Sequence, residues 1–528
     1  MSIIQNRVLY GEKPFTPICV PRERDTLIRH VLEAVRRISA EEPDRKWITD
    51  VLDFANPRTR YIRDIEPMSI KFAQALVARG VQPGDVVQLY LENNVDYFLI
   101  IFAGWLCGAR VSTCDPTIKG KGIQQQLKDA QPKVVFCCDS TIEKVAASWS
   151  GMVSFNPNNL ILWSDEMCQS FLATPDMSLP ILDNSVDDTA IILWSSGTTG
   201  VPKGIEWTHR GLMNLMDPVD FPPSTLYATT MFYHIGGFNI PMSCCIFGNF
   251  HAIFHGSNYD VQSEDIYKVV DQYQAKLLLL GSHHAIRLAS DRPNLNYDLS
   301  SVLAISPLGS AVPTTIGQEL KMSFPNCDMI LWYYGLTETG AVTNNVDNTS
   351  LGPLRDGRMV RIVNPETNQL LGAYEHGEIQ VKSGCMCAGY FNRPDLTRAA
   401  FTEDGYFRTG DLGSYDENGL LYFHDRIKDL IKYKNMHVYP ADLENIIQSH
   451  QDIVEVAIYG KPNLLTQETI SALVVLKKGS NLSGEEIREM VNSQVEDFKK
   501  IRGAINFVDI LPRNFQGKVL RKLLPAMF

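Results

Sequence analysis

Short apolar strands and helix-period segments take turns along roughly the first 340 residues, and that alternation leaves few architectures open. Asp85-Val86-Val87-Gln88-Leu89-Tyr90-Leu91 reads as a buried strand, Val95–Leu106 as a buried helix, and Lys133-Val134-Val135-Phe136-Cys137-Cys138 as another strand. Ser69–Arg79 carries apolar residues at helical spacing and stops at Gly80, a cap. A second alternating stretch from Ala190 to about Gly340 includes the strand Ala252–Phe254, the helix Ser263–Tyr273 and the strand Lys276–Leu280. Strands separated by helices pair in parallel, because a parallel crossover needs a helix's length of chain; the outcome is a doubly wound α/β layer.

From Val360 to Phe423 strands are short and turns frequent, as in Glu378-Ile379-Gln380-Val381 and Asp416-Glu417-Asn418-Gly419, which predicts a small antiparallel unit of barrel type. Mixed α and β patterns return from about Ile427. The expected fold class is α/β, with a large N-terminal domain (1–426) holding α/β subdomains at about 1–190 and 191–340 and a small β-barrel at 341–426. A small α+β domain (427–528) follows. The junction Asp425-Arg426-Ile427-Lys428-Asp429 reads equally as a linker and as a surface turn.

The chain has 528 residues, enough for a sizeable core without disulfide or metal staples. Its 60 acidic and 49 basic residues give a net charge of −11, which opposes a broad nucleic-acid or anionic-membrane footprint but not a local anion pocket. The 11 cysteines lack paired zinc-ligand spacings, and buried free thiols in a reducing compartment are expected. The longest apolar stretch, around Tyr97–Ala109, falls short of the roughly 18–20 residues that span a bilayer. The first residues show no export signal and Ala526-Met527-Phe528 is no peroxisomal address, so a cytoplasmic location is expected.

Ala190-Ile191-Ile192-Leu193-Trp194-Ser195-Ser196-Gly197-Thr198-Thr199-Gly200-Val201-Pro202-Lys203-Gly204 carries the most chemistry. A buried strand runs into hydroxyls, glycines and one lysine. Glycines let backbone amides approach an anion, hydroxyls donate hydrogen bonds, and Lys203 adds a mobile charge, a set suited to polyphosphate. Pro202 before Lys203 and Gly204 after it separate the loop from the common nucleotide loop, in which Gly-Lys is followed by Ser or Thr.

This loop resembles the phosphate-binding signature of the adenylate-forming enzymes: acyl-CoA synthetases, plant 4-coumarate–CoA ligases and beetle luciferases. The resemblance covers nearly the whole chain, from Leu9-Tyr10-Gly11-Glu12-Lys13-Pro14-Phe15 to Gly517-Lys518. It implies that Ser195, Ser196, Gly197, Thr198, Thr199, Gly200 and Lys203 hold the ATP phosphates. In Tyr333-Tyr334-Gly335-Leu336-Thr337-Glu338-Thr339 it implies adenine stacking on Tyr334, with Tyr333 and Gly335 alongside, an α-phosphate contact from Thr337, and magnesium held by Glu338. These roles suit a flat ring, a hydroxyl and a carboxylate. In Gly405-Tyr406-Phe407-Arg408-Thr409-Gly410-Asp411 the resemblance makes Asp411 the ribose acceptor; taken singly, an Asp between glycines is a turn residue. It makes Arg426 a nucleotide contact, Lys428 the pivot of a mobile C-terminal domain, and Lys432 and Lys434 coenzyme A contacts. Asn435 stands where relatives usually carry Gly. Lys518 in Gly517-Lys518-Val519 becomes the lysine that bridges carboxylate and α-phosphate, so Lys518, Thr337 and His234 are the expected catalytic groups.

Phe232-Tyr233-His234-Ile235-Gly236-Gly237-Phe238 aligns with the family's gate to the acyl pocket, which His234, Gly236, Gly237, Gly309, Ser310, Ala311 and Tyr333 are expected to line. Amino-acid-adenylating relatives place Asp where Tyr233 stands, which disfavours an amino-acid substrate. Tyr333, Gly309-Ser310 and His283-His284 depart from the usual pocket pattern; the two histidines either face the substrate or cap a strand. The resemblance implies an ATP-, magnesium- and coenzyme A-dependent acid–CoA ligase acting on a fatty or aryl carboxylic acid. Two alternatives stay open: a luciferase-like monooxygenase, against which stand Leu215 and Gly236 at its pocket positions, and a nucleotide-binding pseudoenzyme, against which stand Lys518 and Glu338.

Overall fold

The structure is a computed structural model that describes residues 2–13, 26–182, 184–195, 202–216, 223–256, 261–291, 296–309, 312, 314–346, 349–434, 436–513 and 519–528. Two seven-stranded sheets dominate it. In the first, Thr189–Ser195, Arg110–Thr113, Val86–Tyr90, Val134–Cys137 and Leu160–Leu162 run parallel, and Lys203–Thr208 and Gly389–Tyr390 close one edge antiparallel. In the second, Met329–Ile330, Ala304–Leu308, Leu277–Gly281, Ser224–Ala228, Phe250–Phe254 and Lys46–Asp50 are parallel, with Arg58–Tyr61 antiparallel at the edge. Strands such as Val134–Cys137 are buried at every position, as continuous apolar runs in a parallel sheet must be.

The two sheets share a core. The helix Tyr97–Leu106 is apolar on all sides and its first nine residues are buried, the pattern of a helix covered on both faces. Phe98 of this helix meets Phe232 at 5.2 Å and Phe238 at 5.5 Å; Phe102 stacks on Trp47 at 6.0 Å. Trp47 donates its indole N–H to the Pro241 carbonyl at 2.8 Å, so its one polar group is satisfied inside the core.

The third sheet is antiparallel, in the order Ile3–Gln5, Val8–Tyr10, Arg358–Val363, Gly377–Ser383, Phe407–Tyr415, Leu421–Arg426. Its ladder is open, with Ile3–Gln5 and Leu421–Arg426 at the two edges. A hairpin, Trp332–Leu336 with Gly340–Asn345, stands beside it. The small C-terminal domain has a mixed sheet in which Gln467–Leu476 pairs antiparallel with Ile453–Asn463 and parallel with Ile505–Phe507. The helices Pro440–Gln448 and Gly484–Asn492 bury Leu443, Ile447, Ile487 and Val491 against it.

The α/β class and the large-plus-small division match the expectation, and the helix Ser263–Tyr273 has the expected bounds. The sheets nevertheless cut across the linear ranges 1–190, 191–340 and 341–426. Lys46–Asp50 belongs to the second sheet, Thr189–Ser195 and Lys203–Thr208 to the first, and Ile3–Gln5 and Val8–Tyr10 to the third. The expected helix at Ser69 begins at Ile62 and runs through Pro67. Asp64 accepts the Tyr61 N–H at 2.9 Å, closing a capping box that starts the helix ahead of the proline. Among the described residues no helix is long and apolar enough to cross a membrane, and the ten described cysteines are free.

Candidate active site

Parallel α/β sheets leave their functional loops at the carboxyl ends of the strands. Ser195 ends its strand and pairs with Lys203 on the returning antiparallel strand, so the glycine and hydroxyl loop joins two hydrogen-bonded neighbours. Ser196, Gly197, Thr198, Thr199 and Gly200 lie outside the described residues. Lys203 Nζ stands 5.4 Å from the centre of the Tyr390 ring. Tyr390 in turn donates its hydroxyl to Glu338 Oε1 at 3.0 Å.

Glu338 sits in the turn of the hairpin Trp332–Leu336/Gly340–Asn345. The Trp207 indole donates to the Thr337 carbonyl at 3.0 Å, the Cys387 N–H to the Glu338 carbonyl at 2.9 Å, and the Leu336 N–H to Thr339 Oγ1 at 3.2 Å. The turn closes tightly: a Cβ on Gly335 would stand 2.1 Å from the Gly340 carbonyl oxygen, and Gly340 has φ +60°. Burial raises the Glu338 pKa; the Tyr390 hydroxyl and the charges of Arg426 and Lys203 oppose that shift. One hydrogen bond, from Tyr390, and the field of two cations thus act on this carboxylate.

A second cluster joins the first through Arg426. Asp411 is 1% exposed; it accepts the Tyr334 hydroxyl at 3.0 Å on Oδ2 and pairs with Arg426 Nε at 3.1 Å on Oδ1. Asp411 and Arg426 are register partners on neighbouring antiparallel strands, which fixes their pairing in the backbone. Tyr334 is 8% exposed and Tyr333 is 40% exposed, as alternation along a strand requires. Burial raises the Tyr334 hydroxyl pKa well above its usual value, so it remains a donor.

His234 caps the helix Ile235–Phe247 from the second sheet, its ring 4.3 Å from that of Tyr233; burial lowers its pKa to about 4. A methyl on Gly236 would meet nothing, whereas one on Gly237 would strike the Met231 carbonyl at 2.0 Å. Gly236 therefore leaves open space and Gly237 permits close packing. Gly309 has φ +106°, which favours glycine; Ser310 and Ala311 lie outside the described residues. His283 and His284 begin the helix Ser282–Ser290 with their rings 3.8 Å apart. Burial, then Arg287 and Arg513, lower the His283 pKa to about 4.

Arg513 belongs to the small domain, and its charge is felt at this end of the large one. Arg513 pairs with Glu455 and forms an antiparallel bridge with Val519, and the Leu520 N–H donates to the Pro512 carbonyl at 2.9 Å. Lys518 itself, like Asn435, lies outside the described residues. Lys428 is exposed in the single 3₁₀ turn Ile427–Asp429, and Lys432 and Lys434 are exposed on and after the strand Ile431–Tyr433.

The sequence of residues 36–391 matches the family model of the AMP-binding enzymes, and residues 442–518 match that of the AMP-binding enzyme C-terminal domain. The chain belongs to the AMP-binding enzyme family. As a member of this adenylate-forming family it is similar to the peroxisomal OPC-8:0-CoA ligase 1 of Arabidopsis thaliana, 30% identical over 85% of each chain. It is also similar to the luciferin 4-monooxygenase of Photuris pensylvanica, 27% identical over 99% of this chain and 98% of that one. Among solved structures, ATP-bound MatB from Rhodopseudomonas palustris superposes with a TM-score of 0.81 at 26% identity, covering 94% of this AMP-binding enzyme and 98% of MatB.

Sequence reasoning missed several groups of this family member's crevice. Tyr390 on Glu338, Asn93 behind the gate segment, and Arg521 behind Asp425 are each far in sequence from the groups they touch. Only Gly389-Tyr390, an aromatic residue after a glycine, offered a local hint.

Proposed function

We propose that this enzyme is an ATP-dependent acid–CoA ligase that works through an acyl-adenylate, on a carboxylic acid without an amine. The observation that carries the reading is a pair of neighbouring groups, Tyr334–Asp411–Arg426 and Glu338–Tyr390–Lys203, in which the charges of Arg426 and Lys203 both act on the Glu338 carboxylate. In them Asp411 accepts the ribose hydroxyls, the Tyr333–Tyr334 segment faces adenine, and Thr337 and Lys203 meet phosphate oxygens. Ser195 through Gly200 surround the remaining phosphates.

A carboxylate acylates poorly because oxide is a poor leaving group. Its oxygen attacks the α-phosphorus, a new O–P bond forms, and the bond to pyrophosphate breaks. The thiol of coenzyme A then adds to the acyl carbon and AMP departs. Two anions must meet in the first step, so the protein's task is positive charge and positioning. Lys518 supplies the charge between carboxylate and α-phosphate, and His234 flanks the acid. Glu338 suits magnesium, a hard cation that takes one or two carboxylates plus substrate phosphates; when bound, the ion supplies further charge neutralisation. Among the described residues there is no group of three or more His, Cys, Asp or Glu that could hold a metal ion. Residues 427–528 act as a lid turning about Lys428, with Lys432 and Lys434 meeting coenzyme A in the second orientation.

Pyrophosphate release across a panel of fatty and aryl acids, followed by thioester formation on adding coenzyme A, tests this. No pyrophosphate with any acid would leave the pseudoenzyme alternative. The similarity to a luciferin monooxygenase over nearly the whole chain supports a second reading, in which oxygen replaces coenzyme A. Light from beetle luciferin and ATP would favour it.

A further inference from the structure

The strand that enters the glycine and hydroxyl loop stands on a row of buried polar side chains. In the first sheet Gln88, Ser112 and Ile192 are register partners on three neighbouring parallel strands. Tyr90, Cys114 and Trp194 follow two residues on, and so lie on the same face. The Trp194 indole donates to Ser112 Oγ at 2.9 Å, and that oxygen lies 3.8 Å from Cys114 Sγ. The Gln88 amide donates to Cys114 Sγ at 3.1 Å and to the Tyr90 hydroxyl at 2.9 Å. Tyr90 donates in turn to Gln126 Oε1 at 3.0 Å, on the helix Lys121–Ala130 that covers this face. Trp194 is 6% exposed and the other five 1% or less.

Both ends of the loop rest on this row. Trp194 precedes Ser195, and a Cβ on Gly204, its register partner on the returning strand, would stand 3.4 Å from the Trp194 ring. At the other end, a Cβ on Gly122 of the helix would stand 3.7 Å from Pro202. Near the end of the same helix Asp129 accepts Arg393 at 3.1 Å, and its carbonyl accepts the Asn392 amide at 2.9 Å, just past Tyr390.

We propose that these side chains are positioning residues for the phosphate loop: Ser112 fixes Trp194 beneath the first loop residue, and Tyr90 fixes the helix that flanks Pro202. The inference rests on the reading of that loop as the ATP phosphate site. Polar groups this deep in a sheet are costly unless paired, and apolar side chains of the same shape would be about as stable. Gln88 Oε1 is buried and takes no hydrogen bond among the described residues, so the row is kept at a cost in stability. What the row adds is a single arrangement, since neither the strand end nor the helix can slide without leaving a further buried group unpaired. A group that meets a substrate must be held to about 0.5 Å by residues that are themselves held.

Isothermal titration with ATP tests the row in two variants. Ser112→Ala leaves the indole N–H without an acceptor, and Tyr90→Phe/Gln126→Met removes both partners while keeping their volume. Each is expected to raise the Kd for ATP about 10-fold, since misplacement by about 1 Å has effects of this order or larger. The KM for an acid that supports turnover should stay within about 2-fold. The double variant should keep the parent's denaturation midpoint, because two apolar groups in place of two paired polar ones are nearly neutral. A purely structural row would show the reverse, a lower midpoint with parental ATP affinity. Parental affinity in the double variant overturns the proposal, whether or not Ser112→Ala folds. A second readout needs no nucleotide: amide hydrogens of Thr189–Ser195 and Lys203–Thr208 should exchange faster in the double variant, and those of Leu277–Gly281 in the second sheet should not. If the parent binds no ATP, the nucleotide reading fails by itself. The exchange rates still decide the row, and unchanged rates overturn it.

Discussion

Asp411 and Asp425 stand on adjacent strands of the antiparallel sheet, 1% and 3% exposed, yet what lies across from them differs. Asp411 pairs at 3.1 Å with Arg426, its own register partner, and with the Tyr334 hydroxyl. Every member of that group belongs to the large domain. Asp425 accepts the Ala441 N–H at 3.1 Å and faces Arg521 at 3.9 Å, both from the small domain. Arg521 is held in turn by both oxygens of Glu444 at 2.6 Å. The first aspartate is therefore part of a fixed site, and the second part of a seam between domains. A rotation of the small domain leaves Asp411 untouched and must exchange the partners of Asp425.

The largest effect expected from breaking this comparison is at the seam. Arg521→Ala leaves the largely covered Glu444 without its cation, a loss that should stay below the about 3–5 kcal/mol of a fully buried pair because the two side chains are 16% and 23% exposed. Denaturant unfolding followed by a probe in the small domain should show a lower midpoint, and an unchanged midpoint would place the pair among the inert surface bridges. Next in size is Lys518→Ala, expected to slow adenylate formation by about 10²–10³ while ATP binding survives. Equal single-turnover rates in mutant and parent would remove Lys518 from the chemistry.

Asp411→Ala sharpens the fixed half of the comparison. It should weaken ATP binding by about 10- to 100-fold, the range for a lost charge-assisted hydrogen bond, and leave small-domain stability alone. Isothermal titration with ATP measures the first effect and denaturant unfolding the second.

The smallest effect is a pH slope. Burial holds His209, His234, His251, His283 and His424 near about 4, and all five precede Asp425. Between about 4 and the ordinary histidine value of about 6.5 the folded chain binds fewer protons than the unfolded one. Their contribution to stability therefore rises with pH across that window and is lost on acidification. Burial raises the pKa values of Asp425 and Glu444, so the seam binds more protons when folded and its contribution falls as pH rises through their shifted range. Calorimetry should show a lower melting temperature for the large domain at pH 5 than at pH 7. His209→Gln should flatten that slope, and an unchanged slope would remove burial of His209 as its source.

Much of the fold could be read from periodicity, because the parallel strands and the helix Ser263–Tyr273 carry strong local patterns. Sheet membership could not. Nothing local in Lys46–Asp50 says that it pairs with Phe250–Phe254. The crevice shows the same limit. Tyr334, Glu338, Asp411 and Arg426 stood out through motifs, but the Tyr390 hydroxyl on Glu338 and the Asn93 bonds to the gate segment arise from packing between distant elements. Residue type alone marks neither.

The pairing of Val8–Tyr10 with Arg358–Val363 has a consequence for biosynthesis. During synthesis the β-hairpin Ile3–Tyr10 is unable to find its neighbour until some 350 further residues have been made. Contacts so distant along the sequence form late and slowly. The nascent chain must meanwhile carry that hairpin unmatched, an exposed edge that chaperones would be suited to shield.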